Sequence, residues 1–113
     1  MKLIIAYIQP YKLNSVKKEL FKDDIHKMSV TNSKGCGQQK GFTEAYRGVA
    51  IEVNLLDKIR IEIAVNDDFL NKTIDAIIRG SRTGNIGDGK IFVLPIERTI
   101  RIRSGAEGSK AIG

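Results

Sequence analysis

Hydrophobic positions along this chain switch between a period of about two and a period of about 3.6. Leu3 to Ile8 is a continuous apolar, β-branched run that stops at Gln9-Pro10 and reads as a buried strand. Leu13, Val16 and Leu20 then recur at spacings of three and four with lysines between them, which predicts an amphipathic helix whose end Phe21 covers. Met28 and Val30 alternate with Ser29 and Thr31, a second strand with one wet face. Ile59, Ile61, Ile63 and Val65 alternate with Arg60, Glu62 and Ala64 and give the clearest strand in the chain. Asn66 or Asp67 is placed to cap a helix in which Phe69/Leu70, Thr73/Ile74 and Ile77/Ile78 repeat, with Gly80 and Gly84 ending it. A strand from Ile91 to Leu94 stops at Pro95. Ile100 and Ile102 alternate with Arg101 and Arg103, predicting a last short strand with both arginines on one face, before a loop-like tail.

The order is strand-helix-strand, a long connection, and strand-helix-strand again. The first strands of the two halves, Lys-Leu-Ile-Ile-Ala-Tyr-Ile and Ile-Arg-Ile-Glu-Ile-Ala-Val, look alike. A duplicated split βαβ unit is the α+β, ferredoxin-like βαββαβ sandwich, in one domain over 1–113. Right-handed crossovers put both helices on one face of an antiparallel sheet and leave the other bare. Either Ile4, Ala6 and Ile8 or Leu3, Ile5 and Tyr7 must occupy that bare face. A sheet apolar on both sides needs a second cover, so the expectation is a homo-oligomer.

From Gly35 to about Asn54 neither period is present. The stretch is polar and glycine-rich, and so long a connection in a chain of 113 residues points to a functional loop. Tyr46 and Arg47 within it are residue types that anchor interfaces. Apolar residues make up 42% and charged residues 28% of the chain, an ordinary globular balance, and the net charge of +6 favours anionic partners. Cys36 is the single cysteine and His26 the single histidine, which leaves no disulfide framework, cysteine metal site or nucleophile–base pair. No apolar run approaches membrane-spanning length and no signal-peptide pattern opens the chain, so a cytoplasmic location is expected.

The strongest candidate chemistry lies in Thr83-Gly-Asn-Ile-Gly-Asp-Gly-Lys-Ile-Phe-Val. Gly84, Gly87 and Gly89 permit positive φ and let backbone N–H groups form an anion-binding nest, to which Lys90 adds a point charge. Gly84, Gly89 and Lys90 match the spacing of a Walker loop, but Ile91 replaces its magnesium-holding hydroxyl. A helix also precedes this turn and a strand follows it, the reverse of a Walker loop, so a helix N-terminus is not available to the phosphates. A phosphate-binding turn of another kind is the reading.

This stretch, with Pro10-Tyr-Lys-Leu, Lys34-Gly-Cys-Gly-Gln-Gln-Lys-Gly, Tyr46-Arg-Gly, Lys58-Ile-Arg-Ile-Glu-Ile and Arg101-Ile-Arg-Ser-Gly, resembles the PII nitrogen-regulatory signal proteins, closest to the ammonium-channel-associated type. The resemblance runs over essentially the full length. It implies a homotrimer with nucleotide sites in the clefts between subunits, where ATP and ADP compete and 2-oxoglutarate binds beside a Mg2+ held by the ATP phosphates. By the same resemblance Gly87, Asp88, Gly89 and Lys90 hold phosphates, and Arg101 and Arg103 reach them from across the cleft. Ser29, Glu62 and Ala64 contact the nucleoside, while Gly35 and Gly37 lie on the approach to the phosphates. Gln39 completes the magnesium shell and, with Lys58, binds 2-oxoglutarate. The long loop matches the family's T-loop, about 37–55, and Arg47 matches the residue inserted into an ammonium channel. Partners implied are an ammonium transporter, glutamine synthetase or a transcription regulator, with the membrane reached only through a transporter.

The sequence departs from the family at the modified positions. Ile51 stands where many members carry a nucleotidylated tyrosine, and Val49 where others carry a phosphorylated serine, so neither modification is expected. Gln9 and Gln38 stand where basic residues are common. A ferredoxin-like RNA-binding module is the competing class, but it reads bases with aromatics on its central strands, and these strands offer only Tyr7 and Phe92. No nucleic-acid partner and no catalytic residue is therefore expected.

Overall fold

The computed structural model describes residues 1–35 and 55–113, together with the backbone of two short strands at 45–46 and 49–50. Four strands build the main sheet: β1 (Lys2–Ile8), β2 (Ser29–Gly35), β5 (Leu56–Val65) and β6 (Lys90–Pro95), in the order β2-β5-β1-β6 and antiparallel throughout. Helices α1 (Leu13–Lys22) and α2 (Leu70–Ser81) pack side by side on one face. This is the ferredoxin-like arrangement, and the two look-alike strands are its centre. Ile4 faces Ile63, Ala6 faces Ile61 and Ile8 faces Ile59 across the β1–β5 ladder.

Those six residues, with Val16 and Leu20 of α1 and Ala76 and Ile77 of α2, form the core. The alternation therefore resolves one way. Ile4, Ala6 and Ile8 lie beneath the helices, and Leu3, Ile5 and Tyr7 take the open face, where they are half-buried. Phe92 and Leu94 of β6 join them there, 49% and 42% exposed, so the open face carries a contiguous apolar strip.

Several local expectations are corrected. Gly80 does not end α2; it lies inside the helix against α1, where an added Cβ would come within 2.5 Å of the Val16 Cα. The helices approach too closely for any side chain there, and packing overrides glycine's poor helix propensity. Neither Asn66 nor Asp67 caps α2 through its side chain. A 3-10 turn, Asp67–Phe69, precedes the helix; the Asp67 carboxylate accepts from the Met1 amino group at 2.8 Å, and the Asn66 amide donates to Ser109 O at 3.2 Å. Met28 precedes β2 and does not belong to it.

The long connection is not without structure: Ala45–Tyr46 (β3) and Val49–Ala50 (β4) pair as a two-stranded antiparallel ribbon. The last predicted strand is absent. Ile100 makes one isolated bridge to Glu107, and the backbone turns between them, with Gly105 N donating to Arg101 O and Arg101 N to Ala106 O, both at 2.8 Å. The tail then forms a short helix, α3 (Ser109–Ile112).

Candidate phosphate-binding turn and the open sheet face

The turn from Thr83 to Gly89 is built around one carboxylate. Asp88 accepts from the backbone N–H groups of Thr83 and Gly84, each at 2.8 Å, and from the Thr83 hydroxyl. The same hydroxyl oxygen accepts from Asn85 N at 3.1 Å, and Asp88 N donates to Asn85 O at 3.4 Å. The Thr83 hydroxyl first, then the Thr83 N–H and, more weakly, the Gly84 N–H and the charge of Lys12 hold the Asp88 carboxyl below the usual aspartate range, against the opposing effect of desolvation. The Asp88 side chain thus braces the turn from within. The side chain of Asp88 is thereby committed to the turn itself.

Gly84, Gly87 and Gly89 all adopt positive φ, +90°, +103° and +105°. At Gly89 space is decisive as well: an added Cβ would meet the Tyr7 carbonyl oxygen at 1.7 Å. The turn therefore lies directly on the end of β1. Gln9, just past that strand, donates from Nε2 to Gly87 O at 2.9 Å, and Lys58 Nζ of β5 approaches the same oxygen at 3.4 Å. The residue expected to pair with a 2-oxoglutarate carboxylate and the turn expected to hold phosphates are thereby adjacent.

Strand register arranges the rest in rows across the open face. Lys90, Tyr7, Arg60 and Thr31 form one row, Phe92, Ile5, Glu62 and Ser29 the next, and Leu94, Leu3 and Ala64 the third. Lys58, opposite Ser33, lies one row further toward the turn. Arg60 pairs with Glu62 at 2.6 Å and its guanidinium lies 5.9 Å from the centre of the Tyr7 ring. The face is thus cationic beside the glycine turn and apolar at its other end. Ser29, Glu62 and Ala64, the expected nucleoside contacts, are brought together about 13–20 Å along β5 from Lys58. Beside Lys58, a groove of about 410 Å³ runs past Pro10, Ser33, Lys34 and Asp57, where Lys34 pairs with Asp57 at 2.5 Å. Gly35 ends β2 opposite Leu56, with open space around it among the described residues.

The two arginines do not share a strand face. Arg101 donates from Nη2 to the carbonyls of Lys110 (3.1 Å) and Gly113 (2.8 Å), so it closes the C-terminal end of α3, and Lys27 donates to Gly113 O at 3.0 Å. Arg103 lies in the exposed turn that follows. Alternating Ile and Arg mimicked a strand, but Ser104-Gly105 closes a turn instead, and Ile102 is fully exposed. Gly37, Gln39, Arg47 and Ile51, with Cys36, lie outside the described residues, as do the side chains of Tyr46 and Val49. His26 is exposed, 4.0 Å from Asp24, with its ring centre 5.1 Å from that of Phe21 and tilted 50° to it. Among the described residues no three His, Cys, Asp or Glu side chains cluster as a metal site, and no helix is long and apolar enough to cross a membrane.

Sequence reasoning named Gln9 and Thr83 but did not foresee the contacts they make in the turn. The second had a signal, a hydroxyl residue and an aspartate bracketing a glycine-rich turn five residues apart. The first had none, because its partner is a backbone carbonyl 78 residues away.

Comparison with known proteins agrees with this architecture. The family model for nitrogen regulatory protein P-II matches residues 1–106. The chain is 50% identical over 114 residues to the nitrogen regulatory protein GlnK1 of Methanosarcina mazei, covering 99% of this chain and 97% of that one. It is 51% identical over 112 residues to nitrogen regulatory protein P-II 1 of Escherichia coli, covering 99% of this chain and all of that one. A crystal structure of Arabidopsis thaliana PII bound to citrate superposes with a TM-score of 0.78 at 34% identity, over 98% of this chain and 88% of that chain. A family match over nearly the whole chain, joined to the sheet order and glycine turn above, places the chain in the P-II family of nitrogen regulatory proteins, which are signal proteins and not enzymes.

Proposed function

We propose that this chain is a trimeric sensor of ATP, ADP and 2-oxoglutarate that regulates nitrogen assimilation through its long loop. One observation carries the reading: a positive-φ glycine turn, Lys90 and Lys58 converge at the cationic end of an open sheet face whose other end is apolar. Anionic ligand groups belong at the first end, and a nucleoside and a second subunit at the other. Gly87, Gly89 and Lys90 take the phosphates, with Gly35 and Gly37 beside them and Asp88 shaping the turn. Ser29, Glu62 and Ala64 meet the nucleoside. Arg101 and Arg103 come from the neighbouring subunit of a homotrimer, and Arg101 must exchange the carbonyls of α3 for phosphate oxygens to do so.

A Mg2+ would be carried mainly by the phosphates, with Gln39 completing its shell, the usual manner in which Mg2+ keeps phosphate and water ligands. 2-Oxoglutarate would bind that Mg2+ and Lys58. The citrate-bound state of the plant relative supports a carboxylate-rich effector on this fold. Tyr46 and Arg47 present the docking surface, with an ammonium transporter as the first candidate target and glutamine synthetase or a transcription regulator as others. The protein works in the cytoplasm as the single domain 1–113 and meets the membrane only through a transporter.

Titration calorimetry tests the coupled sites. 2-Oxoglutarate is titrated with Mg-ATP, with Mg-ADP and without nucleotide; binding is expected only with Mg-ATP or far more tightly with it. Affinity that ignores the nucleotide would sink the coupled model, and absence of any nucleotide binding would remove the sensor reading altogether. Lys90→Ala is expected to weaken ATP without unfolding the protein.

A further inference from the structure

The sheet extends further than its core. β1 pairs with β5 from Lys2–Val65 as far as Ile8–Ile59, and Ile59 is the last buried residue of β5 on the side of the long loop. Pro10 then opens a 3-10 turn, Pro10–Lys12, and the chain leaves the sheet. β2 and β5 continue alone for three more rungs: Ser33 opposite Lys58, Lys34 opposite Asp57 and Gly35 opposite Leu56. None of these six residues is buried, and the outermost rung joins the two ends of the long connection. A two-stranded ribbon without a buried face is marginal in water, so the side chains across its rungs decide whether it stays paired.

On the middle rung the Lys34 Nζ and the Asp57 carboxylate lie 2.5 Å apart. Alternation of side chains puts this pair on one face of the stem and Lys58 on the other, where its Nζ reaches Gly87 O at 3.4 Å. We propose that the Lys34–Asp57 pair is an electrostatic staple: it keeps the stem zipped and so sets where the long loop begins, and rising ionic strength opens it. Both side chains are exposed, 62% and 74%, which fixes the size and the sensitivity of the effect. A cross-strand pair of this kind shifts the paired population by about two- to fivefold, and salt screens it. So small a shift is negligible for the core but decisive for a ribbon that buries nothing. When the staple opens, the two outer rungs fray, the loop lengthens at both ends, and Lys58 loses the rung beside it. The consequence for a ligand at Lys58 rests on the sensor reading above; the staple itself does not.

The test compares the full-length protein with Asp57→Asn, which removes the charge and keeps the shape, with Asp57→Lys, which sets like charges opposite, and with the swap Lys34→Asp plus Asp57→Lys. Amide exchange is followed by NMR at residues 33–35 and 56–58, with Ile61 and Ile63 as core controls, in dilute buffer and in about 1 M NaCl, where the screening length falls to about 3 Å. In dilute buffer the protected stem amides of Asp57→Asn should exchange about two- to fivefold faster than in the parent, and those of Asp57→Lys faster still. The swap should return them toward the parent rate. In about 1 M NaCl the parent and Asp57→Asn should converge, while Ile61, Ile63 and the thermal midpoint stay at parent values throughout. Unchanged stem exchange in Asp57→Asn, a swap that restores nothing, or a difference that survives high salt would each overturn the staple. So would faster exchange at Ile61 and Ile63 with a lowered midpoint, which would make the pair a part of global stability, or stem amides unprotected in the parent. The measurement uses no nucleotide, so its failure is distinct from failure of the sensor reading, which the calorimetry decides.

Discussion

The two faces of the sheet are built from the same strands and carry different kinds of information. On the covered face the rows at the centre of the sheet are aliphatic: Ile4 with Ile63 and Val93, Ala6 with Ile61 and Ile91. The residues at its centre are fully removed from solvent by α1 and α2. On the open face the rows are graded, from Lys90, Tyr7 and Arg60 beside the glycine turn to Leu94, Leu3 and Ala64 at the far end. A uniform face specifies how the chain closes on itself. A graded one specifies how something else approaches it, and from which end.

That difference can be broken most severely from the covered side. Ile61→Ala empties a fully buried position and should cost about 2–5 kcal/mol of unfolding free energy by chemical denaturation. A loss below about 1 kcal/mol would mean that the helices collapse onto the gap, and the covered face would be less tightly packed than its burial indicates. Gly80→Ala should rank second. Alanine is favoured over glycine in a helix by about 1 kcal/mol, but a Cβ at 2.5 Å from the Val16 Cα forces the helices apart, at about 1–3 kcal/mol. A net destabilisation is expected, and a stabilised variant would show that the helix pair yields easily.

Phe92→Glu addresses the open side. Phe92 is about half exposed in the single chain, so the cost to folding should be about 1 kcal/mol or less. The proposed homotrimer should nevertheless disperse, read as a fall in mass by light scattering at unchanged helicity. An unaltered mass would remove this strip from any subunit interface.

The smallest effect is local and pH-dependent. The pKa of Asp88 is depressed in the folded chain, first by the Thr83 hydroxyl. Its bracing is therefore complete at neutral pH and is lost as pH falls below about 3.9 and through the lowered folded value. NMR shifts of the Thr83 and Gly84 amides should titrate with a midpoint below that of an ordinary aspartate, and Asp88→Asn should abolish the titration. A midpoint at the ordinary value would mean the carboxylate is not held by the turn.

Most of the fold was legible because burial imposes a period on the sequence. Ile59 to Val65 and the Leu70–Ile78 repeat each declare a face, and the similarity of the two first strands declares the duplication. What could not be read were contacts between parts distant in the chain. Gly80 has the same local signature whether it ends a helix or lets two helices touch, and only Val16 distinguishes them. Arg101 and Arg103 alternate with isoleucines as strand residues do, yet Ser104-Gly105 and the carbonyls of α3 decide their path. Of the candidate site, the glycine turn and Lys90 were legible from composition alone. The meeting of Gln9 and Lys58 on Gly87 required the sheet to be assembled first.

The three positive-φ glycines of the turn do not constrain its drift equally. Gly84 has open space where a Cβ would stand, so only its backbone angle, φ +90°, resists replacement, and asparagine, which enters the left-handed region more readily than other residues, is the substitution it should accept first. Gly89 is held by its angle and by the Tyr7 carbonyl together, and no side chain escapes the second. A turn of this kind can vary its rim over generations while the point where it rests on β1 stays glycine.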